Sequence, residues 1–228
     1  MKIINYQTGE ISDTIVKLIG HYGDESLICS SARVSYGTNR VNKRTDEELL
    51  TFLLENKHLS PLESCDVHFY LKIPIFVARQ LMRHRTAKVN ERSLRYSKGN
   101  ECRYYEEGEL LSKERNEINK ANFEWYFANV QSPAREEGKL PREQCRGILP
   151  VDTITELYYK LDLRNFFGMY EQRGIYSHAQ HETREVAYAM WNEIEELFPI
   201  CCEWFDSKWR MEELVRNINL LAGEKKVK

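Results

Sequence analysis

Seven residues, Val67 to Ile73, constrain this chain most. Val67, Phe69, Leu71 and Ile73 alternate with His68, Tyr70 and Lys72, the period-2 signature of a strand with one face in a core. Pro74 then removes a backbone donor and ends the run. From Ile75 to about Arg85 there is neither Gly nor Pro, and Phe76, Val77, Leu81 and Met82 recur near helical spacing. A helix is therefore expected directly behind Pro74. Further helices are expected over Glu109–Val130, Pro141–Leu149 and Thr155–Gln172. A last one is read over His178–Phe198, where Val186, Met190, Ile194 and Leu197 form one stripe and Pro199 closes the segment. The reading is a mixed α/β (α+β) fold, rich in helix. With no internal repeat, residues 1–228 read as one domain, with a loop over 131–140 and a frayed tail over 224–228.

Charge narrows the partners. The chain carries 33 basic and 35 acidic residues, a formal −2, so no global field draws in nucleic acid or an anionic membrane. No run approaches the roughly 20 apolar residues of a membrane span, and the first residues lack a secretory apolar stretch, which points to a cytoplasmic protein. Six cysteines without a C-x-x-C pair fit reduced thiols, and Cys201-Cys202 reads as two small buried hydrophobes. His178, His181 and Glu182 have no H-E-x-x-H pattern, so no metal site is expected and a solvated helix start is the plainer reading. Trp125, Tyr126 and Phe127 read as core or interface rather than as a base-stacking platform.

The segment from Arg79 to Ser97 departs from this neutrality. Between Arg79 and Arg95 lie six Arg or Lys and one acid, Glu91, a local net of +5. In a continuous helix Arg79 and Arg83 would share a face, beside a row formed by Gln80 and His84. Arginine forks match phosphate bidentately, and Ser93, Tyr96 and Ser97 add hydroxyls that can orient a ribose or base. On charge alone the plainer reading is of cations closing a helix against its dipole, with the rest a solvated face. The hydroxyls and amides behind the charges shift the reading modestly toward a nucleotide site, and composition goes no further.

Arg83-His84-Arg85, seven residues and then Ser93 resembles the R-H-R-x7-S signature of the flavin-dependent thymidylate synthases. Glu91 and Arg95-Tyr96-Ser97 resemble the same family. So do Ala32-Arg33-Val34-Ser35, His58-Leu59-Ser60-Pro61-Leu62-Glu63, Pro74 to Gln80, Arg146-Gly147-Ile148-Leu149-Pro150 and Ser177-His178-Ala179-Gln180. The resemblance implies a homotetramer with shared active sites, FAD as cofactor, methylenetetrahydrofolate as carbon donor and NADPH as reductant. It implies flavin contacts from Ser60, Arg83, His84, Arg85 and Glu91, with Asp162, Arg164 and Gly168 in the helix that would add more, and His58 near the flavin ring. It implies dUMP contacts from Gln80, Arg83, Ser93, Leu94, Arg95, Arg146 and Arg173, with Arg173 polarising the uracil at its N3 edge. Ser93 holds the nucleophile-like place in the motif, yet no base is evident beside it, so it is read as a substrate ligand.

Against the family pattern, Asp162 stands where an Asn is common, Gly168 where Asn or His is common, and Ser64 where a His often follows the glutamate. Seven steps separate Arg173 from Gln180 instead of the usual six, which implies a one-residue insertion within Gly174 to Ser177, a length Gly174 can absorb. Two other readings stay open on the residues. One is a related flavin enzyme that modifies pyrimidine C5 differently, for example by hydroxymethylation. The other is a nonenzymatic module that binds phosphates or nucleic acid through the basic segment.

Overall fold

The computed structural model describes residues 1–35, 44–131, 137–175 and 178–224, with side chains to residue 212. The chain resolves into two compact units: residues 1–17 with 69–159, and residues 18–68 with 160–228.

In the first unit, strand β1 (Lys2–Asn5) pairs antiparallel with β2 (Ile11–Asp13) on one side. The turn between them is set by Asn5, whose side chain accepts hydrogen bonds from the amides of Gln7 and Thr8 at 2.9 and 3.2 Å, and by Gly9 at φ 77°. The second sheet has the order β3-β4-β7-β5, with β3 (Ile15–Tyr22), β4 (Asp66–Pro74), β5 (Lys88–Glu91) and β7 (Ile154–Asp162). Strand β6 (Glu101–Tyr104) pairs antiparallel with the other edge of β1. The alternation read from Val67 to Ile73 is borne out: those four apolar side chains are buried and β4 ends at Pro74.

Several helices fall between these strands. α1 (Glu25–Val34) is capped by Asp24, whose carboxylate accepts from the Leu27 amide at 3.0 Å. α2 (Asp46–Glu55) opens on a reciprocal capping box between Thr45 and Glu48 and buries Leu49, Leu50, Leu53 and Leu54. α3 (Ile75–Leu81) follows Pro74. α4 (Ser112–Asn129) sits inside the expected 109–130 and buries Asn119, Phe123 and Tyr126, while Trp125 stays exposed. Asp152 anchors α4 by accepting from the Asn119 side-chain amide at 3.0 Å, and it also accepts the Tyr105 hydroxyl at 2.7 Å.

The reading of 131–140 as a connection meets the structure at its ends. The Gln131 amide donates to the Leu140 carbonyl at 2.9 Å, while residues 132–136 lie outside the described residues. The expected helix over Pro141–Leu149 is two short pieces, α5 (Arg142–Cys145) and a 3-10 turn, Arg146–Ile148.

The expectation for Thr155–Gln172 is overturned. Thr155–Gln172 is not a helix: its first half is β7, in which Leu157, Tyr159 and Leu161 are buried and Tyr158 is exposed. Asp162 then caps α6 (Leu163–Tyr170), accepting from the Asn165 amide at 2.9 Å. The apolar residues alternate, and the strand passes into the helix with only a capping residue between them, which a 3.6-residue reading merges into one element.

α7 (His181–Asn192) is shorter than the expected 178–198, and irregular turns carry the buried Ile194 and Phe198. Pro199 does not close a segment but opens α8 (Pro199–Glu224), a position its missing N–H suits. Of the expected tail, Glu224 is the last residue of α8 and 225–228 lie outside the described residues. The second unit's core is aromatic: Phe167 stacks on Phe205 at 4.0 Å, and Tyr170 on Trp191 at 4.4 Å. All six cysteines are buried and unpaired with one another. Among the described residues, no helix is long and apolar enough to cross a membrane.

Candidate active site

The basic segment is positioned by the start and end of α3. Its first free amides are satisfied from outside the helix: Ile75 donates to the Thr153 carbonyl at 2.9 Å and Phe76 to Val151 at 3.1 Å. At the other end the Leu81 carbonyl accepts the Tyr159 hydroxyl at 3.1 Å. The helix stops at Met82, so the expected Arg79–Arg83 face on one helix does not form. Arg83, His84 and Arg85 lie instead in a turn, with Arg83 donating to Gln80 at 3.3 Å and His84 to Leu81 at 3.0 Å. The chain then extends as β5 and presents Glu91, whose carboxylate accepts the Thr155 hydroxyl at 2.7 Å.

A cavity of about 420 Å³ opens here, within the range of roughly 300–1,000 Å³ for ligand pockets. Its wall combines Arg79, Arg92 and Arg146 with Glu91, Ser93, Leu94 and Thr155, and its apolar floor includes Ile75, Ala78 and Met82. Another cavity in the same unit, about 460 Å³, is lined by Tyr6, Tyr104 and Tyr105 and lacks arginine. Of the residues predicted to bind ligand, Glu91, Ser93, Leu94 and Arg146 meet in the arginine-rich cavity. Gln80, Arg83, His84, Arg85 and Arg95 lie in the same unit outside that lining.

Arg92, Met82 and Thr155 line the site without having been predicted as ligands, whereas Arg79 had been read as part of a phosphate-gripping face with Arg83. Arg79 had a signal in its charge. Thr155 was hidden by the assignment of its segment to a helix. Arg83 and Arg85 are exposed, and among the described residues neither forms an ion pair with a carboxylate. Arg95 faces Glu143 at 3.7 Å.

The remaining predicted residues belong to the second unit. His58 is exposed, with its ring edge-on to Phe52 at 6.1 Å, and Ser60 begins a 3-10 turn, Ser60–Ser64. Arg164 pairs with Glu63, while the donors to Asp162 come from Asn165, at 2.9 and 2.6 Å. A Cβ on Gly168 would meet nothing within 4 Å, so space beside it is open.

Arg173 lies in a π-helical turn, Glu171–Ile175. Such a turn closes i→i+5 bonds and so holds one residue more than an α turn, which fits the extra residue before Gln180. Tyr176 and Ser177, also within the expected insertion, lie outside the described residues. The Trp209 indole donates to Glu171 at 3.2 Å and ties the turn to α8.

A Cβ on Gly174 would sit 2.6 Å from the Tyr170 ring, which is held by its stack on Trp191. Gly174→Ala should therefore cost about 1–3 kcal/mol, the range for overpacking a filled site. Thermal denaturation checks this, and an unchanged Tm would show that the ring gives way.

No thiol is set up as a nucleophile. Burial pushes the Cys102 and Cys145 thiols up, and pushes Cys29 to about 11. Ser93 Oγ accepts from the Arg95 amide at 3.3 Å, and no described side chain serves it as a base. Among the described residues, no group of three or more His, Cys, Asp or Glu could hold a metal ion.

A model of the thymidylate synthase complementing protein family matches residues 17–200. The flavin-dependent thymidylate synthase of Ruegeria pomeroyi is 35% identical over 212 residues, covering 84% of this chain and 70% of the relative. This chain belongs to that family. The flavin-dependent thymidylate synthase of Treponema denticola is 33% identical over 233 residues, 92% of this chain and 87% of its own length. That of Thermus thermophilus is 37% identical over 207 residues, 84% and 75%. In architecture the chain resembles the UMP/dUMP methylase PolB of Streptomyces cacaoi, solved with 5-Br dUMP, at TM-score 0.71 and 24% identity over 86% of this chain and 96% of PolB. This flavin-dependent thymidylate synthase family member thus shares its mixed α/β fold with a solved methylase.

Proposed function

We propose that this chain converts dUMP to dTMP by reductive methylation, with methylenetetrahydrofolate as carbon donor and FAD reduced by NADPH as hydride donor. The observation that carries the reading is the cavity in which Arg79 and Arg146 face Ser93, Leu94 and Glu91. It combines phosphate-matching guanidinium groups with hydroxyls and an apolar floor for a nucleoside. Arg79 and Arg146 hold the phosphate end, while Ser93 and the Leu94 main chain fix the sugar and base. Gln80 and Arg95, in the same unit, complete the dUMP ligands, and Arg83 serves both dUMP and flavin.

The residues present fit FAD. Arg83 and Arg85 are exposed cations with no carboxylate pair among the described residues, which is what an anionic pyrophosphate requires. By the family resemblance His84, Glu91 and Ser60 would also hold the cofactor, and Asp162, Arg164, Gly168 and His58 would be further flavin contacts. Bound and reduced, the flavin supplies hydride, which no side chain can. Arg173 polarises the N3/O4 edge of uracil and so raises the reactivity of C5 without a covalent enzyme bond. The same reading makes the protein a cytoplasmic homotetramer with shared sites.

The test is an absorbance titration with FAD, then anaerobic reduction and mixing with dUMP and methylenetetrahydrofolate. Bleached flavin bands that recover as dTMP forms support the proposal. Flavin binding without dTMP redirects it to another C5 modification, such as hydroxymethylation. Absence of flavin binding leaves a phosphate-binding module.

A further inference from the structure

Arg92 lies in the middle of the basic segment, yet its guanidinium is engaged inside the protein. Nη1 donates to Glu156 Oε1 at 2.7 Å, Nε to Ser97 Oγ at 2.8 Å and Nη2 to the Lys98 carbonyl at 2.9 Å. Its own amide donates to the Glu156 carbonyl at 2.8 Å, which seats the start of the loop on β7. The second carboxylate oxygen of Glu156 accepts the Tyr70 hydroxyl at 2.8 Å. Burial and this bond push the Tyr70 hydroxyl up to about 12, so it remains a donor across the working pH range. Ser97 Oγ in turn donates to the Ser93 carbonyl at 3.0 Å. A continuous chain of bonds therefore runs from Tyr70 on β4, through Glu156 on β7 and Arg92, to the main chain of Ser93.

Ser93 and Leu94 are wall residues of the cavity. A short loop free of such ties would sample many conformers, and a ligand would have to select the competent one. We propose that Arg92, Glu156 and Tyr70 are positioning residues: they latch the Ser93–Ser97 loop to the sheet in the shape that receives the nucleotide. This rests on the reading of the cavity as the dUMP site.

The latch differs in sign from a direct role for Arg92 on phosphate. If Arg92 held phosphate itself, neutralising Glu156 would release a cation toward the ligand and strengthen binding. If Arg92 acts through the loop, losing either partner weakens binding, and losing both adds little, because the two act as one unit. The pair is partly exposed, with side chains 29% and 34% accessible, so its loss should move global stability little.

The experiment uses the flavin-loaded full chain with Arg92→Met, Glu156→Gln, the double variant and Tyr70→Phe. dUMP Kd, steady-state kinetics, FAD affinity, Tm and amide hydrogen exchange across residues 93–98 are measured. The latch predicts that each of the first two raises dUMP Kd about tenfold, a change of ~1.4 kcal/mol, with the double variant no worse. KM for dUMP should rise more than kcat falls, and exchange across 93–98 should accelerate while FAD affinity and Tm hold. Tyr70→Phe, the mildest change, should move Kd and exchange in the same direction by less. Unchanged or tighter dUMP binding in Glu156→Gln, with unchanged exchange across 93–98, would overturn the latch and make any loss in Arg92→Met a direct phosphate contact. A wild type that binds no dUMP sinks the functional reading instead, and the exchange data then judge the loop restraint separately.

Discussion

Arg173→Ala is expected to cut turnover about 100- to 1,000-fold, the range seen when one preorganised donor to a developing anion is lost. On the proposed reading, negative charge develops at the N3/O4 edge of uracil when N3 gives up its proton and C5 becomes the nucleophile, so most of the benefit of this guanidinium arises after binding. dUMP affinity should therefore fall much less than the rate does. Arg173→Lys keeps the charge but loses the planar fork and should recover only part of the activity. The position is demanding because Arg173 sits in the π turn over Glu171–Ile175, beside a glycine that cannot accept a Cβ without moving the Tyr170 ring. Single-turnover dTMP formation, run beside a dUMP titration, is the measurement. A rate equal to wild type would mean that the extra residue has carried the guanidinium away from the substrate.

Phe167→Ala should cost about 3–5 kcal/mol of stability, as for other buried aromatic truncations. The ring is 1% exposed. It stacks on Phe205 at 4.0 Å and meets Trp191 edge-on at 5.8 Å. Deleting it leaves a void between α6, α7 and α8, and the large flat neighbours cannot collapse into it without leaving their own contacts. The urea midpoint should drop with the slope of the transition unchanged. A loss below about 1 kcal/mol would show that the cluster repacks freely.

The elements legible in the sequence were those whose burial pattern is local and single-period. β4 reads directly, because one face is buried throughout and Pro74 stops it. Val186, Met190 and Ile194 likewise mark the buried side of α7 and the turn after it. β7 did not read, because its alternating apolar residues run into α6 across one capping aspartate, and the merged stretch imitates a helix. α1 and α2 were not expected from the sequence, although the Asp24 cap and the capping box at Thr45 and Glu48 are local signals for them. α3 ran shorter than its composition allowed, because the chain turns at Met82 before any Gly or Pro appears.

The sequence by itself determined the family, through a motif whose residues lie within eleven positions of one another, and with it the expectation of a flavin and a nucleotide. It also determined that anion binding must be local, because the net charge is only −2. Tertiary structure decided which cations face the cavity and which are spent on the protein. Arg92 and Glu156, and likewise Glu91 and Thr155, are 64 residues apart along the chain and meet only because β7 brings them together. A side chain's charge is a property of its residue, but its partner is set by which distant strands the packed core makes neighbours, and no local pattern encodes that.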